Sequence, residues 1–223
     1  MRKIISLFMF SFLIAGFPEY YYKLPIKKQK KEFKKILIPM IEKENNHIKD
    51  ERDTVIRIFN NSLFMTDNNK LLELSKLAKK YKIKNIYNRE AFLKKIDTIP
   101  ENLVLAQGAI ESAWGRSYFV KEANNIFGQW TYGKNGLIPR NRDVNATHRV
   151  RIFNSLENSL AVYMRNLNRN PAYKEFRELR YSYHQNDKKF SAEKGAETLH
   201  RYSQLGQQYV KILKQMIRQF KRK

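Results

Sequence analysis

Residues 103–128 read LVLAQGAIESAWGRSYFVKEANNIFG, and between Glu101 and Arg116 the one charged side chain is Glu111. Leu103, Gln107, Ile110 and Trp114 recur at helical spacing as one stripe; Val104, Gly108, Glu111 and Gly115 form the stripe beside it. The two glycines are expected to leave open space next to the carboxyl group. Thr98 and Glu101 stand at capping-box spacing, Pro100 suits a first helical turn, and Gly115 suits a stop. Ionising a lone carboxyl in an apolar helix costs free energy, so its pKa rises unless a cation pairs with it. A raised carboxyl is what a general acid at neutral pH requires. The pattern alone also suits a structural glutamate paired with one of the 44 Lys and Arg residues.

Several motifs in order carry a resemblance. AQGAIESAWGRS, ANNIFG, FGQW, GLIPR, ATHRVRIFNSLENSLAVYMRNLNRNPAY and RYSQLGQQYV together span about Ile99 to Val210. This set resembles the glucosaminidase family (glycoside hydrolase family 73) of bacterial wall hydrolases, its Bax-like members above all. The resemblance implies an α+β, mostly α, lysozyme-like catalytic domain with a small β-hairpin lobe. It implies an endo-β-N-acetylglucosaminidase that cleaves peptidoglycan glycan beside N-acetylglucosamine, and it places the family's acid on Glu111. A family tyrosine at the reacting sugar falls on Tyr202, and a second falls on Tyr209. Here the stretch RYSQLGQQY spaces the two one residue wider and lacks the family's acid and proline.

Glycosidases generally use two carboxyl groups. Where many relatives place the second, before an F-x-S turn, this chain reads ATHRVRIFNS without an acid. Asp143 lies in an Arg-flanked loop, and Glu122 precedes ANNIFG out of the matching position. Two routes need only Glu111: participation of the substrate's 2-acetamido group, or attack by the sugar's own hydroxyl, as in lytic transglycosylases. Asn125, Phe127, Gly128, Trp130, His148 and Tyr209 are the expected glycan contacts. Phe127, Trp130 and Tyr132 offer flat faces, and Asn125 either bonds an acetamido group or shapes the turn. The rival readings are a lytic transglycosylase or muramidase, and a wall-binding protein that has lost turnover.

The flanking chain sets the organisation. Met1 to Phe17 has a basic start and the apolar run IISLFMFSFLIAGF, too short for a comfortable membrane span and suited to a signal peptide or an N-terminal anchor. Either implies export, to the periplasm or cell envelope. Residues 18–97 are expected as an N-terminal helical region and 98–220 as the catalytic domain. Phe33, Leu37, Met40, Ile41 and Ile48 suggest a helix bent or restarted at Pro39, followed by helices over 51–59, 71–81 and 88–96. IFGQWTYG and LIPR are expected as a hairpin about Lys134-Asn135-Gly136, with HRVRIF a further strand. Ser155 is expected to cap a helix with Leu156, Leu160, Tyr163 and Leu167 on one face, and three more helices follow.

Composition excludes as well as suggests. The 223 residues contain no cysteine, which removes disulfides, thiolate metal sites and a lipoprotein anchor. The four histidines show no metal spacing, no dinucleotide or P-loop fingerprint is present, and no cofactor is expected. A net charge of +23 implies attraction to anionic polymers or surfaces. The lysines are dispersed and no nucleic-acid motif appears, so wall glycan is the expected partner. The run KKQKKEFKK at 27–35 adds an anionic membrane surface as a further one.

Overall fold

The computed structural model describes residues 16–139 and 147–221, so most of the apolar N-terminal segment, together with Asp143, lies outside the described residues. The chain enters the core at once. Phe17 is buried, and α1 (Glu19–Lys23) leads into α2 (Ile26–Phe59), a helix of 34 residues. Of the expected bend or restart at Pro39, the restart is absent, as is the fresh start at Glu51. Phe33, Leu37, Ile41, Ile48, Val55 and Ile58 are buried along one stripe that runs past Pro39, and Pro39 itself is exposed. An interior proline costs ~3 kcal/mol. Here Pro39 lies away from the buried stripe, and burial of the stripe outweighs the loss.

Side-chain caps start the next two helices. Asp67 accepts from the N–H groups of Asn69 and Lys70 at α3 (Asn68–Tyr81), and Asn88 accepts from Ala91 N–H at α4 (Arg89–Lys95). The following helix, α5 (Glu101–Glu111), starts differently. Pro100 is its N-cap and no side chain caps it, so the capping box does not form. The approach is held from outside: Asn45 exchanges two hydrogen bonds with the Ile99 backbone. The buried guanidinium of Arg180 donates to the carbonyls of Asp97 and Thr98. Those bonds tie down the backbone at Thr98, two residues ahead of the cap position.

After α6 (Tyr118–Ala123) come three short strands: β1 (Trp130–Thr131), β2 (Gly136–Leu137) and β3 (Arg149–Arg151). The expected β1–β2 hairpin pairing is replaced by the order β1-β3-β2, both outer strands antiparallel to β3. Trp130 and Leu137 each stand opposite Val150, the buried residue of β3. Gly136 permits this, because a Cβ there would lie 2.7 Å from Arg149 Cβ and 2.9 Å from the Val150 carbonyl oxygen.

Ser155 caps α7 (Leu156–Arg169), which turns Leu156, Leu160, Tyr163 and Leu167 inward. A short turn over Pro171–Tyr173 joins it to α8 (Lys174–Gln185), followed by α9 (Ala192–Glu197) and α10 (Gln207–Lys221). Helix α5 packs against α2, α9 and α10. It is buried from Leu103 through Ala109, a span in which Gln107 is the one polar side chain. One hydrophobic cluster runs from Phe17 to Phe220, so residues on both sides of position 97 share a core. The architecture is mostly helical with one small open sheet. Among the described residues no helix is long and apolar enough to cross a membrane.

Candidate active site

Helix α5 ends on Glu111 itself, four residues before the expected stop at Gly115. Ala113, Trp114 and Gly115 then take three successive left-handed conformations, with φ of 50°, 57° and 75°. For the first two this costs free energy that the surroundings must offset. Tyr21 donates its hydroxyl to the Trp114 carbonyl, and Trp114 N–H donates to Ala109 O at 2.9 Å. The Trp114 ring packs against Phe33 and Phe220, with the Lys30 ammonium 4.7 Å from its centroid. The glycines do not leave open space. A Cβ on Gly108 would meet Ile126, Phe127 and Phe33, and one on Gly115 would lie 2.6 Å from Phe17 Cε2. They admit close packing of the Asn124–Gly128 turn and of the N-terminal segment.

A chain of hydrogen bonds reaches the carboxyl group. Tyr163 donates its hydroxyl to Gln107 Oε1. Gln107 Nε2 donates to the Tyr209 hydroxyl at 3.0 Å, and that hydroxyl donates to Glu111 Oε1 at 2.9 Å. Aromatic rings hold the chain in place. Tyr202 stacks on Tyr209 with centroids 5.5 Å apart, and Phe127 stacks on Tyr163 at 3.8 Å. Burial raises the Glu111 pKa, and the Tyr209 hydrogen bond opposes it. No charged group among the described residues contributes to that shift, so the ion-paired reading of Glu111 finds no partner there. Its place at the C-terminal end of α5 also disfavours negative charge. Burial pushes the phenols of Tyr163, Tyr202 and Tyr209 well up and that of Tyr173 up to about 12, with the nearby Glu111 carboxylate adding to each. All four stay neutral, and of them Tyr209 is the one that donates to the carboxyl group.

The other expected residues divide into two groups. Asn125 is buried, and its amide is fully engaged: it donates to Gln129 O and Arg151 O and accepts from Gln129 N–H. It shapes the turn. Phe127 is likewise inside the core, and its ring faces Tyr163. Tyr202 donates to the Phe127 carbonyl at 3.4 Å, and Tyr209, not Tyr202, is the tyrosine bonded to Glu111. Gly128 is exposed with φ of 62°. Trp130 is 62% exposed and stacks on His148 at 4.2 Å; Tyr132 is exposed nearby. Glu122 is exposed on α6.

Gln107, Tyr163 and Tyr173 join the site without having been expected there. Gln107 carried a signal, as the one polar member of the stripe Leu103, Gln107, Ile110 and Trp114. Tyr163 looked like an ordinary inward-facing core residue. Among the described residues no group of His, Asp and Glu is arranged to hold a metal ion.

A half-buried carboxyl group with no cation partner among the described residues, held at a helix end by one neutral phenol donor, is fitted to exchange a proton. The chain belongs to the glucosaminidase family, a family of glycoside hydrolases. The family model, described as mannosyl-glycoprotein endo-β-N-acetylglucosaminidase, matches residues 86–222. Protein bax of Escherichia coli (strain K12) is 30% identical over 190 residues, a segment covering 81% of this chain and 66% of that protein. No solved structure matches the chain significantly.

Proposed function

We propose that this protein is an endo-β-N-acetylglucosaminidase of the cell envelope, of lysozyme-like fold, that cleaves peptidoglycan glycan with Glu111 as general acid. The observation that carries the reading is the state of Glu111. Its carboxyl is raised by burial, meets no cation among the described residues, and has Oε1 occupied by Tyr209. The transferable proton therefore sits on Oε2. As the glycosidic C–O bond breaks, that proton passes to the departing oxygen, and the carboxylate left behind keeps the Tyr209 bond. Trp130, stacked on His148 and open to solvent, offers a flat face for a sugar ring. The apolar segment before Phe17 directs export, and the +23 charge favours capture on an acidic wall polymer.

One sequence observation favours a one-carboxyl route: ATHRVRIFNS has no acid before its F-x-S turn, where many relatives place the second carboxylate. The substrate's acetamido group, or the sugar's own hydroxyl in a lytic transglycosylase, then supplies the attack. Mass spectrometry of digested peptidoglycan tests both points. New reducing N-acetylglucosamine ends support the glucosaminidase. Anhydro-muramyl ends indicate the transglycosylase, reducing muramyl ends a muramidase, and binding without cleavage a non-catalytic wall protein.

A further inference from the structure

We infer that Gln107 and Tyr163 are positioning residues that fix the direction of the hydrogen bond reaching Glu111, so that an O–H dipole is aimed in advance at the charge that forms there. The inference rests on Glu111 being the proton donor of the proposed reaction. Its basis is the polarity of the chain Tyr163–Gln107–Tyr209–Glu111.

A tyrosine hydroxyl has one proton to give and lone pairs to accept with, whereas an amide NH₂ can only donate. Since Gln107 Nε2 faces the Tyr209 oxygen, the Tyr209 proton must turn the other way, onto Glu111 Oε1. Were the amide reversed, Tyr209 would donate to Gln107 and offer Glu111 only a lone pair. That arrangement would stabilise the protonated acid and leave the carboxylate without its donor.

Tyr163 decides between the two. Its side chain is buried and its hydroxyl donates to Gln107 Oε1. Reversing the amide would turn its NH₂ toward the Tyr163 oxygen and take from the Tyr163 proton the acceptor it has here, Gln107 Oε1. An unsatisfied buried donor costs ~1–3 kcal/mol, which holds the amide in one sense. The Tyr163 ring cannot swing away, because Phe127 lies flat on it with an interplanar angle of 7°. The result is a preorganised donor at the point where negative charge develops, an arrangement whose value lies in needing no reorganisation during reaction.

The titration of Glu111 reads this directly, whether or not glycan turns over. Full-length protein carrying ¹³C at the glutamate side-chain carboxyl carbon is titrated by NMR, with Glu111→Gln identifying the resonance. In folded Gln107→Met and Tyr163→Phe the Glu111 midpoint should move to higher pH, because the carboxylate loses its fixed donor. The double variant should move no further than Gln107→Met, since both act through one chain. With glycan, kcat should fall on the order of tenfold at unchanged KM, and the alkaline limb of the rate profile should move up with the midpoint. Lost packing alone would lower the rate without moving either. A midpoint unchanged in both variants overturns the inference; should Gln107→Met fail to fold, Tyr163→Phe decides alone. A wild-type protein that cleaves no glycan would defeat the proposed function and leave the titration comparison standing.

Discussion

The Tyr209 hydroxyl lies 2.9 Å from Glu111 Oε1, joining α10 to the last residue of α5 across 98 positions of sequence. It is the one interaction that works against burial in setting the Glu111 pKa. Burial favours the protonated acid, and the phenol favours the carboxylate. In the proposed reaction both states are used, so both influences count.

Glu111→Gln separates stability from turnover. The folded pKa of Glu111 lies above its ordinary value of 4.5. Its favourable contribution is therefore full below that value and is lost as pH rises through the folded pKa. The amide has no charge to desolvate. At neutral pH the variant should need more denaturant to unfold than the wild type, and the difference should close toward acid. Turnover should drop on the order of 10²–10⁴-fold, or more where no second carboxyl shares the work. A folded variant cleaving at the wild-type rate would end the assignment.

The left-handed turn after Glu111 should depend on residues far upstream of the family match. Tyr21→Phe removes the donor to the Trp114 carbonyl and should cost about 1–3 kcal/mol. Gly115→Ala meets two obstacles, a φ of 75° and a Cβ placed 2.6 Å from Phe17 Cε2. It should cost at least as much, about 1–3 kcal/mol from backbone strain plus the clash. Both are read as a lowered urea midpoint at unchanged slope. Wild-type midpoints would show that the N-terminal strap does not hold the turn.

Trp130→Ala probes the lobe. With 62% of the side chain exposed, stability should change by no more than about 0.5 kcal/mol. If the ring stacks on a sugar, KM for glycan should rise roughly tenfold while kcat holds. An unaltered KM would remove Trp130 from the glycan path.

Salt tests what the +23 charge is for. Binding to insoluble peptidoglycan should weaken steeply from low to high ionic strength, as screening shortens the reach of the field. Binding that ignores salt would point to stacking and hydrogen bonding in the cleft, and tight saturable binding to duplex DNA would favour a nucleic-acid partner.

Local chemistry was legible in the residues alone. The lone charge at Glu111, the cap at Ser155 and the inward face of α7 all depend on neighbours within a few positions. So does the resemblance carried by AQGAIESAWGRS and ANNIFG. The tertiary structure alone decided what required partners from distant segments. Pro39 passes without a break because a buried stripe runs on beneath it. Thr98 does not cap because Arg180 and Asn45 hold the backbone around it. Strand β3 inserts between β1 and β2 because Gly136 lets it approach. The site follows the same division. Glu111 could be singled out from its surroundings in sequence, but which tyrosine touches it could not, since Tyr202 and Tyr209 both approach from the far end of the chain. Asn125 and Phe127 belong to the scaffold for a like reason: burial is a property of the whole core, and no local pattern contains it. Gln107 acquires its direction only when Tyr163 and Tyr209 close on it from opposite sides, because a hydrogen bond has a sense only once both partners are in place.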